Sequence, residues 1–430
     1  MKKLLPLFIA VGAACTGLMQ SQVAVAGPLD FPACSLDFKK KVGGGMSEKS
    51  YKQLTAAQEM IGKEQYGQAL SLLNELAAAA SEKPYEYATI MTNIGWVHAA
   101  RSEYRKAIDA MNKAAATGAL PAQAIHSQDL NLAQMYFAMD DYANTLKVLN
   151  NWFGCEKAPK PEAYLMLSQV YAQMKRIRDA IPPAKYAIEK SPKPKDSWYQ
   201  HLLGLYWEVE DFKNAAEVLR VLLAKNPDEK KYWAQLSGLY ARINDDKNAL
   251  AVLELAYRQG LLEKENELKQ LAALYAYQDI PFKSAEVLEK GIQSGKIPAN
   301  EKNWNAVAVG WRSAREFDRA IKSFGEAAKY ADVGEYYFLM AEMYGDQEKW
   351  KESIAALQNA FKKGNLKNPG FAYMRLGEAK FRLGAYKESI AAFQAATKYG
   401  NTSKAAEQWA NYVSERAQVA QIGEEAEKKQ

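Results

Sequence analysis

Histidine and cysteine are nearly absent, with three of each in 430 residues. His98, His126 and His201 fall in separate stretches, without His-Glu-x-x-His, Cys-x-x-Cys or a run of acidic ligands, so no zinc or calcium site is expected. No Gly-x-Ser-x-Gly occurs. Gly62-Lys63 and Gly295-Lys296 lack both the earlier glycine and the following Ser/Thr of a phosphate loop, and read as turns. The acidic pairs Asp140-Asp141 and Asp245-Asp246 sit where they would cap a following helix. These absences point away from an enzyme and from any cofactor. The chain also lacks long blocks of like charge: 56 Lys+Arg against 50 Asp+Glu leave a formal charge of only +6, so no nucleic-acid partner is expected. Past the N-terminus no apolar run reaches the roughly 18 residues of a membrane span.

The N-terminus itself is apolar. Met1-Lys2-Lys3, an apolar run from Leu4 to Cys15 and Ala24-Val25-Ala26 have the layout of a cleavable signal peptide over 1–26, which predicts a protein outside the cytoplasm. Cys15 could instead carry a lipid anchor, but Gly12 stands where the bacterial signal prefers leucine, which argues against it. Cleavage would leave Cys34 and Cys155. In an oxidising compartment two cysteines most often pair, and closing a loop of about 120 residues would stabilise by roughly 4–5 kcal/mol; the alternative is two separate thiols. Residues 27–49, with Pro28, Pro32 and Gly43-Gly44-Gly45, read as an extended lead-in. A bond between these cysteines would require that lead-in to fold back over about three repeats.

The remainder is periodic. Trp304, Val307-Ala308, Trp311, Phe317, Ala320, Phe324 and Ala327 recur in form at Trp233, Leu236-Ser237, Tyr240, Ala249 and Leu253, and at Tyr373, Leu376-Gly377, Tyr386 and Phe393. Leu271-Ala272 and Tyr275 open another copy, whose second helix reads as displaced by one residue. This is the tetratricopeptide pattern, in which small residues let two helices approach and large ones fill the gap to the next pair. The expected fold is all-α: a right-handed superhelical solenoid of about ten helix pairs over 50–403, with a capping helix and charged tail over 404–430.

Such arrays bind partners along their first helices, at positions left free by packing. In this register those positions hold Trp96, Gln134, Phe137, Gln169, Gln200, Trp207, Arg242, Lys269, Tyr277, Asn305, Arg312 and Arg382. Aromatic, amide and guanidinium groups suit a peptide, by stacking and by bonding its backbone or carboxylates. Asn93 and Asn131 lack the lysines of a carboxylate clamp.

Several stretches resemble one family. Asn151-Trp152-Phe153-Gly154, YWAQLSGLY from Tyr232, AYRQGLL from Ala256, the run from Leu271 to Ile297, KGNLKNPG from Lys363 and AEQWANYV from Ala406 are similar to secreted tetratricopeptide proteins associated with TonB systems of Gram-negative bacteria. The resemblance implies a periplasmic accessory whose partners are TonB and its proton-driven Exb-type motor subunits, which energise outer-membrane uptake of iron-siderophore or haem. It supplies no binding residues. A scaffold for another envelope-assembly or polysaccharide-export machine, or a periplasmic peptide- or glycan-binding solenoid, would use the same fold.

Overall fold

The computed structural model describes residues 29–40, 42 and 44–427, so the expected signal peptide and Cys15 lie outside the described residues. Among the described residues there are twenty-one helices and no strand. Ten pairs run in chain order: α1 (Glu48–Gly62) with α2 (Tyr66–Ala79), α3 (Pro84–Ala100) with α4 (Tyr104–Ala116), α5 (Ala122–Ala138) with α6 (Tyr142–Cys155), α7 (Pro161–Gln173) with α8 (Ile177–Lys190), and α9 (Asp196–Glu208) with α10 (Phe212–Lys225). They continue as α11 (Lys230–Arg242) with α12 (Asp246–Arg258), α13 (Glu265–Tyr277) with α14 (Pro281–Gln293), α15 (Glu301–Ser313) with α16 (Phe317–Lys329), α17 (Glu335–Asp346) with α18 (Trp350–Lys363), and α19 (Pro369–Arg382) with α20 (Tyr386–Ala396). A single helix, α21 (Ser403–Glu427), follows. The chain forms two compact units, Met1–Leu222 and Leu223–Gln430.

Each pair closes around two residues twelve apart. Ala57 and Ala69, Gly95 and Ala107, Ala133 and Thr145, and Ala308 and Ala320 are buried, as their counterparts are in five further pairs. Only α9 departs, with half-buried Leu203 opposite Ala215. In four of the five pairs where a small residue is serine, the buried hydroxyl is paired within the core. Ser168 Oγ donates to the Ala180 carbonyl at 2.7 Å, Ser237 Oγ to Ala249 at 3.0 Å, Ser353 Oγ to Ala341 at 2.8 Å and Ser389 Oγ to Gly377 at 2.7 Å. The same spacing corrects the expectation for α14. Ser284, twelve residues after Ala272, fills the small position, while Ala285 meets Gly310 of α15. The second helix is in register, and the neighbouring alanine only looked like the conserved position of the pattern.

The turn inside every pair is also the same. One residue takes a left-handed conformation, from Glu64 (φ 60°) through Asp140 (58°), Asn244 (57°) and Arg315 (59°) to Gly384 (73°). The amide after it then reaches back to a carbonyl in the last turn of the first helix, as Asp141 N does to Tyr136 O (3.0 Å) and Glu316 N to Trp311 O (2.9 Å). Behind three of these turns an aspartate caps the second helix: Asp141, Asp211 and Asp245 accept from the backbone N–H of Asn144, Asn214 and Asn248.

Buried large side chains fill the space between pairs. In the first unit Leu73, Ile90, Met111, Leu149 and Leu167 are fully enclosed; in the second, Leu253, Trp311, Phe324 and Phe393 are. The lead-in joins the first unit's core. Phe31 stacks on Phe153 with centroids 4.2 Å apart and planes at 9°. The Pro32 carbonyl crosses so close to Gly154 that a Cβ there would lie 2.1 Å from its oxygen. Cys34 is bonded to Cys155, Phe38 meets His126 edge-on at 5.9 Å, and Gly44 lies against Tyr85. Finally Ser47 N and Ser50 Oγ donate to the Glu86 carboxylate at 2.9 and 2.7 Å, bonds that hold its pKa below the usual range. In chain order these contacts step backwards from the third pair to the second. They all fall at ends of second helices or starts of first helices, so the lead-in is a strap along one edge of the unit.

A left-handed non-glycine residue costs about 1 kcal/mol relative to glycine there, partly offset by glycine's extra unfolded-state freedom. Arg315→Gly should therefore raise the denaturation midpoint of the second unit by about 0.5 kcal/mol and Arg315→Val should lower it; equal midpoints would contradict the turn assignment. For the strap, Cys34→Ser should destabilise the first unit by up to about 4 kcal/mol and open residues 29–47 to protease, measured by denaturation and limited digestion. An unchanged midpoint and an intact strap would show that the crosslink adds nothing to the packing of Phe31.

Candidate partner-binding clefts

The free positions on the first helices do not all reach solvent. In the first unit Trp96 is 37% exposed and Trp207 47%, with Gln134 and Gln200 also exposed and Gln169 half-buried. Trp207 is braced edge-on by Phe212 at 5.5 Å. Phe137 departs from expectation: its ring packs beside the Leu149–Trp152 core and edge-on to Tyr142 at 5.6 Å, because α6 begins directly over the end of α5. In the second unit Tyr277 is 74% exposed, and Arg242 and Arg312 are exposed. Arg382 instead places its guanidinium 5.6 Å over Trp350 at the start of α18.

Two clefts open in the second unit. One lies between α13, α14 and α15, with a volume of about 670 Å³. Its floor is short (Ala273, Ala276, Ala306, Val309) and its rim carries Lys269, Lys302, Asn305, Ser313 and Asp279. This cleft brings together Lys269 and Asn305 from the sequence-derived set. Lys269 is already paired with Glu265, one turn earlier, at 2.6 Å. A floor of small side chains under polar rims suits an extended backbone.

The other, of about 610 Å³, lies between α17, α19 and α21, with Phe393 at its base. Phe371 and Trp409 stand in it 47% and 41% exposed. Trp409 is fixed by stacking on Phe393 at 5.8 Å and by an edge contact with Phe381 at 6.4 Å. Arg375 Nη1 donates to Glu378 at 3.0 Å, which leaves Glu342 as the second carboxylate without a direct bond. Burial pushes the Glu342 pKa up, against the pull of Arg375 and Arg312 and with the help of Asp346 and Glu335. None of these lining residues belongs to the set drawn from sequence. Glu342, Phe371 and Glu378 are first-helix residues, and the two glutamates carry none of the aromatic, amide or guanidinium groups by which that set is defined. Trp409 lies on the expected capping helix, outside the repeat register from which that set is drawn.

Residues 338–408 match the family model of the tetratricopeptide repeat. That segment is repeat sequence of this type. It contains every residue lining the second cleft except Trp409, and the remaining pairs share its twelve-residue spacing and left-handed turn. No curated protein matches the chain. Among solved structures, a tetratricopeptide repeat protein from Parabacteroides merdae is 14% identical over 59% of this chain and 98% of its own, at a TM-score of 0.29. MamA is 17% identical over 38% of this chain and 93% of its own, at 0.30. The TPR2AB domain of yeast Sti1, solved in complex with an Hsp90 peptide, is 15% identical over 59% and 98%, at 0.28.

The histidines are structural neighbours of the turns and the strap. His98 Nδ1 lies 2.8 Å from Glu103, a contact that lowers the Glu103 pKa. His201 Nε2 lies 2.8 Å from Ser168 Oγ, and burial pushes its pKa down. His126 stacks on Trp152 at 5.7 Å with Nε2 2.9 Å from Glu156, the contact that most lowers the Glu156 pKa. Beside it, burial pushes Asp129 on α5 up to about 6, against the opposing pull of His126. A carboxyl whose folded pKa is raised favours the fold below its unfolded pKa and loses that contribution as pH rises through about 6. Asp129→Asn should consequently stabilise the first unit at pH 7.5, by about 1 kcal/mol after allowance for solvent screening, and give no gain at pH 4. Denaturation midpoints at the two pH values test this; an equal gain at both would locate the effect elsewhere than in the charge.

Proposed function

We propose that this chain is a periplasmic protein-interaction scaffold serving a TonB/Exb-type proton-driven complex that energises outer-membrane uptake, with iron-siderophore or haem as cargo. The observation that carries the scaffold reading is the cleft between α17, α19 and α21, where Phe371 and the fixed ring of Trp409 stand exposed beside polar side chains. Tetratricopeptide repeats are protein-binding modules, and burial of such rings is what gives an interface its energy. The periplasmic reading is supported by the leader-like N-terminus and by the Cys34–Cys155 crosslink, a bond at home in an oxidising compartment. Among the described residues no helix is long and apolar enough to cross a membrane. The TonB assignment rests on the resemblance of the stretches around Tyr232, Ala256 and Leu271. The protein's part would be mechanical, holding components together while force passes to a receptor.

In-cell crosslinking of the tagged protein in iron-starved cells, followed by mass spectrometry of the envelope fraction, should recover TonB and its motor subunits. Recovery of cell-wall or export proteins with no TonB component would sink the transport reading and favour an envelope-assembly scaffold.

A further inference from the structure

The cleft between α17, α19 and α21 has a chemistry of its own. Its lining carries two carboxylates, Glu342 and Glu378, against one guanidinium, Arg375, in a chain whose overall charge is +6. Arg375 is committed to Glu378 at 3.0 Å. Glu342 therefore faces the cleft with its hydrogen-bonding capacity unused, and the side chains of Asn368 and Asn401 likewise make no hydrogen bond among the described residues. Around these three acceptors stand the half-exposed faces of Phe371 and Trp409. Trp409 is held against Phe393, Phe381 and Tyr412, so little freedom is lost when something stacks on it. An aromatic face attracts a cation by its quadrupole, and a partly desolvated carboxylate gains most from a partner that brings positive charge and N–H donors together.

We propose that this cleft is a pocket for a basic side chain, an arginine or lysine, presented by an extended segment of a partner protein. The guanidinium or ammonium pairs with Glu342, its flat or methylene part lies against Phe371 and Trp409, and Asn368 and Asn401 bond the flanking backbone. Arginine fits best, because its planar fork can bond the carboxylate while it stacks. The inference rests on the scaffold reading of the repeats but not on the identity of the partner.

The test uses the purified full-length protein and capped nine-residue Gly/Ser peptides carrying arginine, lysine, citrulline or glutamate at the centre, titrated calorimetrically. The arginine peptide should bind, the lysine peptide more weakly, and the citrulline and glutamate peptides at least tenfold more weakly than arginine. Glu342→Gln, which keeps shape and removes charge, should cost the arginine peptide about tenfold and leave the citrulline peptide unchanged. Phe371→Ala, at an exposed ring that the core does not need, gives a second variant and should weaken both cationic peptides. Equal binding of the arginine and glutamate peptides, indifference to Glu342→Gln, or binding of chito-oligosaccharide with no binding of the arginine peptide would overturn the proposal. Crosslinking with Glu342→Gln separates the two readings. Loss of partners in cells together with the peptide result supports both, whereas peptide binding without any recovered partner upholds the pocket and removes the scaffold role.

Discussion

Two helices lie closest along their length where both present small residues at the crossing, and every pair but the fifth, with Leu203 opposite Ala215, is built around one such approach. The twelve-residue separation of the two contact positions leaves room for little more than a single tight reversal. That reversal is made by one left-handed residue, with the following amide returning to the end of the first helix. Nine of the ten turn residues are not glycine, so the conformation is imposed by the packing on either side of it. Tyr136, Tyr171, Tyr206, Tyr240, Tyr275, Trp311 and Tyr344 all accept that returning bond. The aromatic of the repeat thus has two duties: its ring packs while its own carbonyl closes the turn.

A stack of such units is ordinarily one-dimensional, each pair stabilised only by its neighbours. The strap breaks that rule in the first unit. By seating Phe31 on Phe153 and Tyr164, bonding Cys34 to Cys155 and delivering Ser47 and Ser50 to Glu86, it ties the first pair to residues several pairs away in sequence. The first pair gains most from this. Among the described residues no helix pair precedes it, and the Glu86 carboxylate pins the start of α1 from the neighbouring repeat. Gly154 is what permits the arrangement, since any side chain there would meet the Pro32 carbonyl.

Periodicity made the helix pairs legible, because the same large and small residues recur with a spacing that only one geometry satisfies. It was blind to which of two adjacent small residues makes the crossing, hence the false displacement read at Ser284 and Ala285. Nor would local rules alone place Pro182 and Pro183 inside α8, where Pro183 is buried and packing overrides the helix-breaking tendency. Of the stretches that carried the family resemblance, AYRQGLL, the run from Leu271 to Ile297 and KGNLKNPG include connections between pairs, while the other three lie within α6, α11 and α21. Gly260 and Gly295 hold left-handed turns, and Gly291 lies against Ile297, so their specificity is that of a loop geometry. At the free first-helix positions sequence could not tell a solvent-facing ring from one covered by the next helix. Phe137 and Arg382 both sit at the end of a first helix, and both are drawn onto a second-helix aromatic, Tyr142 or Trp350.

The second cleft opens beside the last described helix. α21 packs on α19 and α20 as a single helix and not as the first of a pair. It buries Ala406, Ala410 and Val413 and leaves Trp409 and Tyr412 each 41% exposed. Ala405 and Thr402 line the cleft with Phe371. A cap meant only for solubility would present polar residues there. Exposed rings fixed by Phe393 and Phe381, beside a carboxylate that makes no direct bond and feels Arg375 and Arg312 only through space, carry a desolvation and entropy cost that the fold does not recover internally. That cost is recovered only when something else enters the space, which is why the end of the array, where packing constrains the sequence least, is the part whose chemistry is most specific.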